Sequence, residues 1–558
     1  MFRVVLIFAA AAVCFAQEAQ TSSDTKKAAV EGQVFNLVTK EPVKRADVKM
    51  FRTARGGAEM AAAIRSALMA TTDAEGKFKI ENVEAGEYRI VCQKAAFLGS
   101  GQRAFWMMSG PGTQTVTLKS GETHGGLKVY LTPQGVVAGR VLDEEGEPVQ
   151  GAMVMLMRWS YSRGVKSLAS RGRDTTNDRG EYRISDVPPG WYFIRADLFR
   201  GAATGPQVVG GVRMAYATTY YPNVTGPEQA TRIHVTAGLQ LPGQDMTLQR
   251  EKVVKVSGKL LDVDGSPAKN TVLSISLAEA TYGEGWERVP VDDKGAFKAD
   301  SVRPGNYNVF AQREDGSLAR QSAQSIQVGE SDIDNLTLQL QPPMEANGAI
   351  TVEGEGKKEV DINRCWVYAE FAAGRFGAGS RELKSDGTFK LEGLVPGPVI
   401  VRVNCITGTI YVQSILVGDE DVLGKEVDAG AVAAGGIKVI LRTDTASVSG
   451  TLDVPEEKRD PAKEPRIVLI PTDERLRRAG FIEYPQLDQD YQFSAKGGRP
   501  GEYLAFAFAE ADNSSFDDPE FYRLMESKGV KVKVGPGESK KVDLKLTAWP
   551  EEFAERLQ

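Results

Sequence analysis

The chain has 558 residues, 42% of them hydrophobic and 25% charged, with a net charge of -6. That composition belongs to a folded protein of several domains and excludes a disordered or fibrous one. The slight acidity gives nucleic acid no basic face to meet.

The chain opens on a processing signal. Arg3 precedes an apolar run from Val4 to Val13, and Cys14-Phe15-Ala16 supplies small residues at the cleavage positions. This predicts a signal peptide over 1-16, cut before Gln17. Bulky Val13 argues against lipid attachment at Cys14. A linker, 17-27, follows. No later apolar stretch approaches the ~20 residues of a spanning helix. The expectation is therefore an exported protein, periplasmic, cell-surface or extracellular, with no membrane span.

Five copies of one pattern fill the rest. The first reads Asp73-Ala74-Glu75-Gly76-Lys77-Phe78, then Gly86-Glu87-Tyr88. The others place Tyr182 before Gly190-Trp191-Tyr192, Phe297 before Gly305-Asn306-Tyr307, Phe389 before Gly397-Pro398-Val399, and Phe493 before Gly501-Glu502-Tyr503. The spacing from aromatic to glycine is constant. A period near 100 residues is too long for a solenoid repeat and fits a whole small domain. The predicted units are 28-133, 134-250 (with extensions), 251-342, 343-443 and 444-549, with a polar tail at 550-558. Short junctions between them imply a semi-rigid rod.

Each copy begins with a glycine inside a β-branched run, as in Val30-Glu31-Gly32-Gln33-Val34 and Val256-Ser257-Gly258-Lys259-Leu260. Alternation marks half-buried strands. The Asp-x-x-Gly-x-aromatic element reads as a hairpin turn, assigned to Asp73, Asp178, Asp293, Asp386 and Asp490, that sends the aromatic inward. Pro-Gly-x-Tyr is the following turn. The expected fold is all-β, a tandem array of about five antiparallel Greek-key β-sandwiches. One helix is expected near 518-528, capped by Asp517 or Asp518, with Pro519 in its first turn and Gly529 as its stop.

The glycine-bearing first strand, Pro148 to Val154 and the two turns resemble the carboxypeptidase regulatory-like domain. That family is a transthyretin-like sandwich, grouped with carbohydrate-binding-like and adhesin B-type folds. The whole chain resembles large secreted bacterial proteins built of such domains. The resemblance implies a fold, and carbohydrate as a plausible ligand, without an activity.

Little points to chemistry. The two histidines, His124 and His234, sit in different copies and lack zinc-peptidase or triad spacing. Acidic groups at Asp512, Asp517, Asp518 and Glu520, and at Asp419 to Asp421, lack EF-hand spacing. Lys259 has no evident Asn and Glu for a cross-link. No catalytic residue, metal or cofactor is assigned. Cys365 and Cys405 are each placed on the inward face of a strand in copy four. Two readings stand, a disulfide and a pair of buried thiols, because sequence does not fix their separation. Cys92 is read as a buried free thiol.

Copy two departs from the plain repeat. Met153, Met155, Met157 and Trp159 lie on the face opposite its core, and an extension runs from Gly201 to Pro222. An apolar outer face must be covered or must bind. The extension folding over it is the first reading. A ligand patch of Trp159, Tyr161, Trp191, Tyr220, Tyr221, Arg171 and Arg173 is the second, since aromatic planes beside arginines suit sugars or anionic polymers. The chain is read as a non-catalytic binding or scaffold protein of the cell envelope. Its expected partner is a polysaccharide or an envelope protein. A protein-protein adhesion module and a purely structural spacer are the alternatives.

Overall fold

The computed structural model describes residues 26-53, 62-98, 113-198, 206-278, 286-313, 321-322, 325-342, 344-357, 360-371, 379-394, 396-405, 410-455 and 465-557. The expected signal peptide and most of the linker after it lie outside the described residues.

The first unit sets the plan. One sheet holds Lys77–Val83, Ala28–Asn36 and Thr123–Leu131 in that order; the other holds Leu68–Thr71, Asp47–Arg52, Gly86–Gln93 and Thr113–Leu118. Period-two alternation turns Val30, Val34, Phe78, Ile80, Tyr88 and Ile90 into one core between them. Separate apolar cores recur around Val137 to Leu248, Val254 to Leu340, Ala346 to Leu441 and Ala446 to Leu544. The protein is thus all-β and built of sandwiches.

The sheets are antiparallel except where the closing strands of each unit meet its first strand. The first strand runs parallel to the last, for example Val34 beside Val129 and Leu260 beside Leu338. The first-strand glycine has a fixed partner. Gly32 faces Phe78, Gly139 faces Tyr182, Gly258 faces Phe297, Gly348 faces Phe389 and Gly450 faces Phe493.

The turn before the aromatic is one residue out of the expected frame in copies two and three, and two out in copy five. The side chain that closes it stands five residues before the aromatic. Asp73 accepts from the backbone of Glu75 and Lys77, Asn177 from Arg179 and Glu181, Asp292 from Lys294 and Ala296, and Asp488 from Asp490 and Gln492. Asp178, Asp293 and Asp490 are therefore not the closing residues. Copy four has Lys384 at this position, and there Asp386 accepts from Thr388 instead, at 2.9 Å. In the second turn the tyrosine does more than fill the core. Its hydroxyl donates to the carbonyl four residues earlier, Tyr192 to Pro188, Tyr307 to Arg303 and Tyr503 to Arg499.

Cys365 and Cys405 face each other on neighbouring strands and are disulfide-bonded, with an S–S distance of 2.04 Å. Cys92 is a buried free thiol, pushed up to about 12 by burial.

The expected helix is Pro519–Met525, with Asp518 accepting from the Glu520 backbone at 2.9 Å. It ends before Lys528. Among the described residues Ala429–Gly435 and Glu474–Arg478 are also helical and were not expected; Asp428 and Asp473 cap them. The polar tail packs on the fifth unit. Glu551–Arg556 forms a 3-10 turn whose Phe553 is 3% exposed. Trp549 and Phe553 are four apart, so both reach the cluster of Phe508, Phe516 and Phe521 on the outer face of the fifth unit.

The units do not form a rod. The fifth folds back onto earlier ones. Gln489 exchanges two hydrogen bonds with the Thr117 backbone of the first unit, both 3.0 Å. Arg232 of the second unit pairs with Glu555 at 2.8 Å. Leu476, Ala479 and Phe481 pack on the core of the fourth unit. Short linkers limit reach, but they do not prevent distant units from meeting around a closed path.

Candidate functional site

The strand Met153–Ser162 divides its side chains between two apolar layers. Val154 and Leu156 enter the core of the second unit. Met155 and Met157 join Leu168, Phe193 and Tyr220 on the other face. The cover comes from the extension. Its Thr219–Tyr220 segment pairs with Arg195 and Ala196, and Tyr220 is 0% exposed. Residues 201-205 of the extension lie outside the described residues.

The same face buries charge. Arg195 and Asp197 are an ion pair at 2.8 Å, and Thr218 donates to Asp197 at 2.6 Å. Pairing and hydrogen bonding let such charges stay inside; breaking one partner would strand the other.

The aromatics singled out in the sequence are drawn into packing. Trp159 is half-buried, edge-on to Phe193 at 6.4 Å, with the Lys166 ammonium 4.5 Å above its ring. Trp191 stacks on His234 at 4.6 Å, and Arg232 lies 5.3 Å from its ring. Tyr161 meets the Arg556 guanidinium at 5.3 Å; burial first, and then nearby Asp518, push its hydroxyl upward. Tyr221 packs against the core. Tyr220, fully enclosed, is a packing residue and has no surface to offer a ligand. Only Arg171 and Arg173 of the proposed patch are exposed, with Arg171 reaching the Ser160 hydroxyl at 3.4 Å.

Two basic side chains of this hairpin, Arg158 and Arg163, are engaged by other units. Arg158 donates to the Arg556 carbonyl and stands 3.9 Å from Asp512. Arg163 pairs with Glu370 at 2.9 Å. Glu370 also holds Arg402, whose pKa is lowered by burial and then by neighbouring Arg163. Burial raises the Asp517 carboxyl, while the Arg163 backbone N–H and charge oppose that. The hairpin of the second unit is therefore gripped by the fourth and fifth. Sequence reasoning missed Glu370, Glu555 and Arg556. The Trp549 to Phe553 spacing, not used in reading the sequence, is the signal that could have shown the tail to be packed.

The acidic groups have ordinary partners. Asp512 accepts from Ser514 and Ser515, Asp518 caps its helix and pairs with Arg556 at 2.7 Å, and Glu520 pairs with Arg523. Among the described residues no group of three or more His, Cys, Asp or Glu is placed to hold a metal ion. Among them, too, no helix is long and apolar enough to cross a membrane.

No curated protein matches the sequence. Among solved structures, a Streptococcal ancillary pilin is 13% identical, over 57% of this chain and 100% of that one, with a TM-score of 0.20. BcpA, the major pilin subunit of Bacillus cereus, is 13% identical over 57% and 99%, with a TM-score of 0.15. The minor pilin GBS52 of Streptococcus agalactiae is 13% identical over 40% and 96%, with a TM-score of 0.21. Overlap this low carries nothing about function. The family match is local: residues 136–237, which carry the first strand, the turns and the aromatics above, match the carboxypeptidase regulatory-like domain.

Proposed function

We propose that the chain is a non-catalytic scaffold or adhesion protein of the cell envelope, exported by its first 16 residues and built of five domains at 28-133, 134-250, 251-342, 343-443 and 444-549. The observation that carries this reading is the locking of units far apart in sequence. Arg158, Arg163, Arg232 and Gln489 bind the fifth unit or the fourth to the first two. A face that is gripped in this way holds the array in one shape and leaves its other loops and sheet faces free for recognition. Carbohydrate is the ligand class favoured by the resemblance of the second unit. Arg171 and Arg173 are what remains exposed there.

Tagged full-length chain, fractionation and chemical cross-linking test the proposal. The chain should leave the cytoplasm and cross-link to an envelope glycan or protein. Cytoplasmic retention overturns it, as does turnover of any member of a glycan and peptide substrate panel.

A further inference from the structure

A surface cavity of about 510 Å³ lies in the first unit. Its size is within the ordinary range for small-ligand sites. The first strand contributes Glu31 and Gln33, the hairpin strand Lys77 and Lys79, and the last strand Lys128. Their neighbours Val30, Val34, Phe78, Ile80 and Val129 are buried, so alternation turns these polar side chains outward.

Register places three of them in one row. Gln33 lies between Lys77 on one side and Lys128 on the other. Strands are spaced about 4.8 Å apart, so two ammonium-bearing residues stand roughly 10 Å apart across the glutamine. Lys79 is neutralised by Glu31 at 3.1 Å and Glu81 at 2.8 Å. Asp73 accepts the backbone N–H groups of its turn. Lys77 and Lys128 form no ion pair among the described residues.

Other units fill the matching position differently. The last-strand residue beside the first-strand glycine is Leu127 in unit one, Gln244 in unit two and Val542 in unit five. The next residue is Lys128, Asp245 and Asp543 respectively. Asp245 accepts from the Arg140 backbone at 2.9 Å, and Asp543 accepts from the Thr451 backbone and hydroxyl at 3.1 and 2.7 Å. Unit one thus reverses the charge where two sister units place a carboxylate. Unit four also has a lysine, Lys438, but beside Ala349 and across from Thr388. Beside this row, Gly125 and Gly126 leave open space.

We propose that this groove binds an acidic oligosaccharide, with Lys77 and Lys128 taking its carboxylates and the Gln33 Oε1, whose amide Nε2 donates to the Glu75 carbonyl, accepting from a hydroxyl. The proposal deepens the envelope-scaffold reading by naming a glycan site in the first unit. A sugar suits it better than an acidic peptide. Extended peptides are commonly held by backbone pairing along a sheet edge, whereas the row Lys77, Gln33, Lys128 runs across the sheet face, from one edge strand over the inner strand to the other.

The test is calorimetric titration of residues 17-558 with oligogalacturonate, a neutral dextran oligomer of equal length, and oligoglutamate. Binding is expected for oligogalacturonate alone. It should weaken at least tenfold in the double variant K77Q/K128Q and in K128D, and fall with added salt. Both positions are exposed, so melting temperatures should not move and loss of fold is excluded directly. No binding of oligogalacturonate, or binding untouched by the variants, overturns the site. Equal binding of oligoglutamate overturns the glycan assignment. None of these failures affects the export and cross-linking test of the scaffold reading.

Discussion

Gly450 and Phe493 face each other across two antiparallel strands, and the Val542 carbonyl stands 1.7 Å from where a Cβ on that glycine would lie. The residue without a side chain lets the last strand approach, and the aromatic ring lies over the gap. The aromatic faces the glycine in all five units, and a last-strand carbonyl crowds it in units one, two, three and five. Gly450→Ala forces a backbone carbonyl to move, and overpacking of this kind costs about 3 kcal/mol. The fifth unit should lose thermal stability by calorimetry of the full chain. A melting profile unchanged by the substitution would show that the last strand is not held there.

Glu370 is the common acceptor of Arg163 and Arg402, and the Arg402 side chain is only 8% exposed. Glu370→Ala leaves that guanidinium buried beside another. Removal of one member of a buried pair costs about 3-5 kcal/mol. The transition containing the fourth unit should fall, and Glu370→Gln should restore part of the loss. Equal melting of all three proteins would place the pair in solvent.

Thiol reagents distinguish Cys92, Cys365 and Cys405. Buried Cys92, with its thiol pushed up to about 12, should not react in the native protein. Denaturation should expose one thiol, and reduction in denaturant should expose three, because Cys365 and Cys405 are bonded. Three reactive thiols without reductant would contradict the bond.

Asp444 sits between the fourth and fifth units. Arg442 donates to both of its carboxylate oxygens, at 2.8 and 2.6 Å, and this holds its pKa below the ordinary aspartate value. A lowered folded pKa means that the unfolded chain takes up the proton first as pH drops. The stabilisation is therefore complete above about pH 4 and is lost below it, as pH falls through the folded value. Melting followed from pH 6 to pH 2 should show a shallower decline for Asp444→Asn than for the parent. Parallel curves would remove Asp444 from the acid response.

The repeat was legible because it is local. Glycine, turn and aromatic recur at fixed spacing, and spacing survives without knowledge of tertiary contacts. The inward faces were legible for the same reason, as with Val154 and Leu156 against Met155 and Met157. Two errors came from context. The closing turn residue was misassigned in copies two, three and five because Asp178, Asp293 and Asp490 stand near Asn177, Asp292 and Asp488, and the hydrogen bonds alone separate them. The tail was read as loose because Trp549 and Phe553 stand among acidic neighbours; their partners, Phe508 and Phe521, lie at least 28 residues away in the chain. Contacts between units, such as Arg163 with Glu370, leave no periodic trace at all.

The parallel pairing of the first and last strands has a mechanical meaning. The chain enters each unit at one end of that pair and leaves at the other. Tension on the termini then runs along the strands, and the ladder bonds between them carry the load together in shear instead of opening one by one. Under pull, the contacts that fold the fifth unit back are loaded first, and the chain lengthens before any sandwich opens.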